Sequence, residues 1–131
     1  MDKREAILKS ALELFITNGF DKTTTAKITS NAGVGTGTLF NYFKTKVDLI
    51  NELFLWIKNE TNEVIKQISD YDMITEEAMR KLWLSLINWG LTNQDKMRFI
   101  RQYSSSPYIT HLTREQQETE SLLLKSQTMN A

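Results

Sequence analysis

The sequence predicts an all-α protein, and three observations support this fold class. Apolar residues recur every three to four positions through most of the chain, and no segment shows the apolar-polar alternation of a half-buried strand. Pro107 is the only proline among 131 residues, so little interrupts helices. Glycines and short Thr, Ser or Asn clusters separate the periodic segments, where turns and helix caps are expected. This pattern predicts about seven helices joined by short turns.

The first helix is expected from Lys3 to Asn18, with Asp2 as its N-cap. Its apolar positions fall on one stripe, formed by Ile7, Leu8, Ala11, Leu12 and Phe15. Gly19 follows the stripe and is the expected end of the helix. Phe20 is then expected to fold back onto Phe15, in the manner of a Schellman-type contact.

Two short helices on either side of a glycine turn come next. Thr24 or Thr25 can cap the first of them, because a threonine hydroxyl accepts a hydrogen bond from an orphan backbone N–H. Gly33 is expected to end this helix, since glycine adopts the left-handed conformation of a tight turn without steric cost. Val34 is expected to fill the angle between the two helices. The arrangement is that of a helix-turn-helix.

The second short helix is expected from Thr36 to Phe43. Leu39 and Phe43 are four residues apart and therefore face the core together. The opposite face carries small or hydrogen-bonding groups, which allow close approach to base edges and which can recognise adenine or the thymine methyl group. We predict that this face contacts DNA bases through Thr36, Gly37, Thr38, Phe40 and Asn41.

A long fourth helix follows, with a capping box at its start. Thr45 is the expected cap, with Asp48 three positions on, and apolar residues recur from Leu49 to Ile68. Lys46 lies in the first turn, where a cation opposes the helix dipole unless it meets an external anion together with the free N–H groups. DNA phosphate is such an anion. We predict phosphate contacts from Thr24, Thr25, Tyr42, Lys44 and Lys46.

These residues resemble the TetR family of bacterial transcriptional regulators over about residues 3–55. The similar features are an apolar-Gly-apolar end to helix one, a Thr-rich start to helix two, an Ala-Gly-Val turn, and the recognition segment in AGVGTGTLFNYFKTK. The resemblance implies phosphate contacts at Thr25, Tyr42 and Lys46. It also implies base contacts at Thr36, Gly37, Thr38 and Asn41.

The chain departs from the family pattern at two positions. Gly35 stands where serine is common as the cap of the recognition helix, which should weaken that helix start by a few tenths of a kcal/mol. Phe40 stands where tyrosine is usual, so one hydroxyl that can reach a phosphate is missing. Both departures bear on the strength and specificity of DNA contact rather than on the fold.

The remaining sequence predicts further helices. Asp70 to Asp72 breaks helix four, and Thr75 is the expected cap of helix five. A loop around residues 92–94 precedes a shorter sixth helix, and the segment Ser104 to Pro107 is the next loop. A capping box at Thr113 predicts a last helix that ends near Leu124.

The resemblance implies an effector pocket in this second part of the chain, for a small hydrophobic or aromatic molecule. Its candidate lining residues are Trp56, Met79, Trp83, Trp89, Met97, Phe99 and Tyr103. The alternative is that these side chains form ordinary core, because aromatic and methionine residues at helical spacing commonly just pack.

Composition excludes several classes of function. The chain has no cysteine and a single histidine, His111, so neither a disulfide nor a metal centre is expected, and we predict no cofactor. No strand precedes the GVGTG run, which argues against dinucleotide binding, and no nucleophile-base set indicates an enzyme. No apolar run reaches the roughly 20 residues of a membrane span, and no signal-peptide core is present. We therefore expect a cytoplasmic protein without membrane contact.

The expected organisation is a helix-turn-helix DNA-binding domain in residues 1–45 and a helical ligand-binding and regulatory domain in residues 46–131. The second domain looks short for the family and incomplete at its C-terminus. We predict a homodimeric repressor that binds a palindromic double-stranded operator and is released by a small-molecule effector. The alternative is a truncated regulator that dimerises with or sequesters a partner without binding an operator itself.

Overall fold

The computed structural model describes residues 2–69 and 75–109, and these residues form α-helices without strands. The all-α prediction is confirmed. The predicted break at 70–72, His111 and the predicted helix at 113–124 lie outside the described residues. The helices are α1 (Lys3–Asn18), α2 (Thr25–Ala32), α3 (Thr36–Tyr42), α4 (Lys46–Ser69), α5 (Glu76–Thr92) and α6 (Gln94–Ser104).

Four of these helices begin at side-chain caps. Each capping side chain accepts a hydrogen bond of 2.7–3.2 Å from the backbone N–H three residues further on, which satisfies one of the orphan donors at a helix start. The structure also decides between two candidates, because Thr24 caps α2 and Thr25 is its first helical residue. The capping residues are Asp2, Thr24, Thr45 and Thr75.

One apolar core runs from α1 through to α6. Phe15 is fully buried, and its ring centroid lies 5.1 Å from that of Phe20, as the predicted return of the chain required. Gly19 makes this return with a φ of +86° and donates its N–H to the carbonyl of Phe15. Phe20 in turn contacts the ring of Phe99 on α6, at 5.8 Å between centroids. The helix-turn-helix and α6 are therefore packed around shared side chains.

The connection between α5 and α6 is shorter than the sequence indicated. The predicted loop at 92–94 reduces to Asn93 alone, because Thr92 is still helical and Gln94 already begins α6. The side chains of Thr92 and Asn93 donate to the carbonyls of Asn88 and Trp89, each at 2.9 Å. These bonds satisfy carbonyls that a helix end leaves open, so a longer loop is unnecessary.

Helix α4 is the longest described element, with 24 residues. At 1.5 Å per residue it extends about 36 Å. It starts beside the end of α3 and packs against α1, α5 and α6. Among the described residues, no helix combines the length and apolarity needed to cross a membrane.

Candidate nucleic-acid interface

The turn between α2 and α3 holds the two helices in a fixed relation. Gly33 is left-handed, with φ +72° and ψ +29°, as the sequence predicted. The Val34 N–H donates to the carbonyl of Thr29 at 3.0 Å, and the Gly33 N–H donates to that of Ser30 at 3.3 Å. These bonds close the end of α2, so that only three residues separate α2 from α3.

Helix α3 buries one face and exposes the other. Leu39 is fully buried and Phe43, just beyond the helix, is 1% exposed, so the inward pair is placed as predicted. Gly35 precedes the helix without a side-chain cap bond. The predicted base-contacting residues lie on the outer side, where Thr38 is half-buried and the exposed members are Thr36, Gly37, Phe40 and Asn41.

This outer face contains no charged side chain, because α3 has the sequence TGTLFNY. Its hydroxyl and amide groups can hydrogen-bond base edges, and Phe40, which is 44% exposed, offers an apolar contact. The structure thus presents a neutral, hydrogen-bonding helix face to solvent. Contact of this face with bases stays a prediction.

The predicted phosphate-contacting residues lie at the two ends of this helix pair. Thr24 is exposed and Thr25 half-buried at the start of α2, while Tyr42 and Lys44 are exposed where α3 ends. Lys46 is half-buried and is the first residue of α4. The Thr24 oxygen already accepts the Lys27 N–H, and its hydroxyl hydrogen is still available for an external acceptor.

Two exposed lysines near the start of α2 were not among the predicted phosphate contacts. Lys22 precedes the α2 cap by two residues, and Lys27 lies in the first turn of α2. Both are exposed and close in sequence to Thr24 and Thr25, and that proximity was the available signal. They add positive charge beside the predicted phosphate contacts.

Polar contacts that the sequence motifs did not predict hold α2 and the end of α3 against α1. The Ser10 hydroxyl is buried and donates to the carbonyl of Ile28 at 2.8 Å, and Asn31 Nδ2 donates to the Ser10 oxygen at 3.0 Å. At the other end of α1, the Arg4 guanidinium lies 5.4 Å from the centroid of the Phe43 ring. These contacts hold α2 and the end of α3 against the same helix.

Helix α6 and the residues after it contact α1, α4 and the segment that joins α1 to α2. Tyr103 is fully buried and donates its hydroxyl to Asn51 Oδ1 on α4, while Gln102 Nε2 donates to the carbonyl of Phe15 at 3.0 Å. Beyond α6, the Tyr108 hydroxyl donates to Asp21 Oδ1 at 2.8 Å. This hydrogen bond to a carboxylate raises the pKa of Tyr108, since it favours the protonated phenol, and burial adds to the effect.

The seven candidate pocket residues do not share one cavity in the described part of the chain. Phe99, Tyr103 and Trp89 belong to the buried core. Trp56 lines a cleft of about 430 Å³ between α1, α4 and the α5–α6 junction, where Lys96 Nζ lies 5.0 Å from its ring centroid. The exposed residues are Met79 and Trp83, and Trp83 lines a separate groove with Met97. No group of three His, Cys, Asp or Glu residues within 2–69 and 75–109 is placed to hold a metal ion.

Comparison with known proteins agrees with this geometry. Residues 7–53 match the family described as bacterial regulatory proteins, tetR family. The chain is 37% identical to a TetR family transcription regulator from Shewanella sp. PV-4, whose crystal structure aligns with a TM-score of 0.80 over 88% of this chain and 62% of that one. A TetR family regulator from Marinobacter aquaeolei VT8 is 22% identical and shares the fold, with a TM-score of 0.83 over 95% of this chain and 65% of that one.

Curated relatives are also named as regulators. The chain is 33% identical over 81 residues to the fatty acid metabolism regulator protein of Bacillus subtilis, a match that covers 62% of this chain and 39% of that protein. An uncharacterized HTH-type transcriptional regulator of the same organism, YhgD, is 22% identical over 78% of this chain and 53% of its own length. The chain thus spans about half the length of these relatives or less. These findings confirm the resemblance over the helix-turn-helix region, where residues 7–53 match the tetR family of bacterial regulatory proteins and the similar solved structures are regulators of that family.

Proposed function

We propose that the chain is the DNA-binding and part of the regulatory region of a transcriptional repressor. The observation that carries this proposal is the exposed face of α3, which is uncharged, rich in hydroxyl and amide groups, and supported from behind by the buried Leu39. A helix with these properties suits the major groove, where base edges are read by hydrogen bonds and apolar contacts.

The surrounding cations and helix starts supply the sequence-independent part of binding. Lys44 and Lys46 lie after α3, and the first turn of α2 carries the Thr24 cap and Lys27. Phosphate contacts of this kind fix the register of a protein on DNA, while base contacts determine the sequence that it prefers. In this proposal, the ends of the helix pair bind phosphates and the exposed face of α3 contacts the bases.

The proposed regulation acts through α4 and α6. Regulators of this family generally act as dimers, and half-sites of a palindromic operator lie about one helical turn apart. A bound effector among the helices of the regulatory domain would shift α4, whose first residue is the proposed phosphate contact Lys46. The buried Tyr103–Asn51 hydrogen bond connects α6 to this end of α4. An effector that prefers the shifted arrangement then lowers operator affinity by population shift.

We also propose the boundary of the two functional regions at residues 45 and 46, where α4 begins. Residues 1–45 then contain the reading helices and residues 46–131 the regulatory part. Phe20 of the first region packs against Phe99 of the second, so a structural change in one region can alter the other.

The test begins with selection of a bound duplex from a random pool, followed by affinity measurements at several salt concentrations. Lys46→Ala should weaken binding to every sequence and lower the salt slope by about one unit, because it removes one phosphate contact. Lys81→Ala is the matched control, since Lys81 is an exposed lysine on α5. A chain that selects no duplex would favour the alternative, a partner that dimerises or sequesters without binding an operator.

A further inference from the structure

A groove between α5 and α6 remains outside the function proposed for the DNA-binding end. It has a volume of about 520 Å³, within the range of small-molecule sites. Its apolar lining residues on α5 recur at helical spacing and form one continuous wall, while α6 contributes one apolar side chain beside polar and charged ones. They include Trp83, Leu86, Ile87 and Leu91 on α5 and Met97 on α6.

Gly90 forms part of the groove wall on α5. A methyl group at this position would lie 3.8 Å from Met97 Cγ, which is ordinary contact distance. A small side chain would therefore touch Met97 without a clash, and a longer one would extend into the groove and narrow it.

Two arginines line the same groove on the α6 side. Arg98 and Arg101 are three residues apart and hence lie on neighbouring positions of one helix face. Both are exposed, and within the described ranges no carboxylate lies in ion-pair distance of either guanidinium. Guanidinium groups bind carboxylates through short, charge-assisted hydrogen bonds.

An apolar wall with two exposed guanidinium groups beside it matches a ligand with an aliphatic stem and an anionic head. We infer that this groove binds an aliphatic carboxylate, with its chain along Trp83 and Met97 and its carboxylate at Arg98 and Arg101. The inference rests on the proposed effector regulation and names the chemical class of the effector. It differs from the sequence prediction, which placed neither arginine in the site and expected a small hydrophobic or aromatic molecule.

The experiment titrates the whole chain with octanoate, 1-octanol and octylammonium, which share one chain length and differ in the head group. Tryptophan fluorescence and calorimetry report binding. We expect octanoate to bind about tenfold more tightly than 1-octanol, since charge-assisted hydrogen bonds are roughly twice as strong as neutral ones. Octylammonium should bind most weakly.

Three variants localise the effect. The double variant Arg98→Gln and Arg101→Gln should abolish the preference for octanoate over 1-octanol, whereas Arg80→Gln, at an exposed arginine on α5, should leave it unchanged. Gly90→Leu should weaken binding of both ligands by filling the groove. Circular dichroism spectra that match those of the unchanged chain show that the variants are folded.

Operator binding measured in the same samples separates this inference from the proposed function. Octanoate binding that depends on both arginines supports the inference even if octanoate leaves operator affinity unchanged. That result would contradict only the proposed release from the operator by an effector. Intact operator binding with equal affinity for octanoate and 1-octanol would overturn the inference and leave the regulator function standing. A dimer in light scattering that Trp83→Glu dissociates, together with no octanoate binding, would also overturn it, because a second copy then occupies the groove.

Discussion

Large apolar side chains are mostly buried in the helix-turn-helix but mostly exposed on helix α5. In residues 2–45 these side chains are mostly buried, and the strongly exposed exceptions are Phe40 and Tyr42, which lie on or beside the predicted reading face. On α5, only Trp89 is buried. The strongly exposed apolar side chains of that helix are Met79, Trp83, Leu84, Ile87 and Leu91.

The difference indicates two kinds of recognition. The DNA-binding end buries its apolar groups internally and offers hydroxyl, amide and lysine groups, which are suited to a polar, anionic partner. Helix α5 presents an apolar surface, and exposed apolar patches mark binding sites when they are contiguous and have polar edges. We therefore propose that one surface of the chain is suited to nucleic acid and a second to an apolar or amphiphilic ligand.

The largest expected effect is a difference in stability between replacing a buried aromatic residue of α1 and replacing an exposed one on α5. Phe15→Ala should reduce the free energy of unfolding by about 3–5 kcal/mol, because it leaves a cavity in the core shared by α1 and α6. Trp83→Ala, at a side chain that is 67% exposed, should cost no more than about 0.5 kcal/mol. Urea unfolding measures both. Equal losses would break the comparison, since Trp83 would then be covered in solution.

The next effect concerns sequence preference at the reading face. Asn41→Ala should change the preferred base at one position of each half-site by about 1–3 kcal/mol, if the amide contacts that base directly. Competition binding with single-base variants of the selected duplex measures this change. Asn59→Ala, at an exposed asparagine on α4, is the control and should leave the preference unaltered. A uniform loss over all duplexes would count against base reading by Asn41.

Two threonine caps offer a matched pair with a smaller effect. Thr24→Ala and Thr75→Ala should each cost about 1 kcal/mol of stability, because each removes the acceptor for one orphan N–H at a helix start. Only Thr24→Ala should also weaken binding to all DNA sequences, since Thr24 lies among the predicted phosphate contacts. Thermal unfolding and anisotropy titrations measure the two properties. A comparable loss of DNA affinity in Thr75→Ala would show that the effect of Thr24→Ala arises from lost stability and not from a lost phosphate contact.

The smallest effect concerns the hydrogen bond between Tyr108 and Asp21, which joins the segment after α6 to the segment before α2. The raised pKa of Tyr108 means that its hydrogen bond contributes to stability below the ordinary tyrosine pKa of about 10. This contribution is lost as the pH rises through the folded-state pKa, because the unfolded chain releases the phenolic proton first. Tyr108→Phe should therefore show a shallower fall in stability above pH 10, about the ordinary tyrosine pKa. Unfolding curves that change identically with pH in both proteins would contradict this.

Local patterns in the sequence determined most of the helix-turn-helix. The caps at Asp2 and Thr45, the left-handed Gly33 and the inward Leu39 follow from backbone geometry and short-range spacing, and the structure agrees at each. The sequence also predicted a threonine cap for α2, which the structure assigns to Thr24 rather than Thr25. The family resemblance rests on the same segment. Contact with DNA by the exposed residues is a prediction that these local features motivate.

The tertiary structure decided which candidates meet across long sequence separations. Helical periodicity shows that Trp83 and Phe99 are apolar helix positions, but it cannot show that one is exposed and the other buried, because burial depends on which helices pack together. The contacts from α6 to Asn51 and Phe15 join residues 52 and 87 positions apart. The placement of Arg98 and Arg101 beside the apolar wall of α5 has the same origin, since the single-residue turn at Asn93 brings the two helices together.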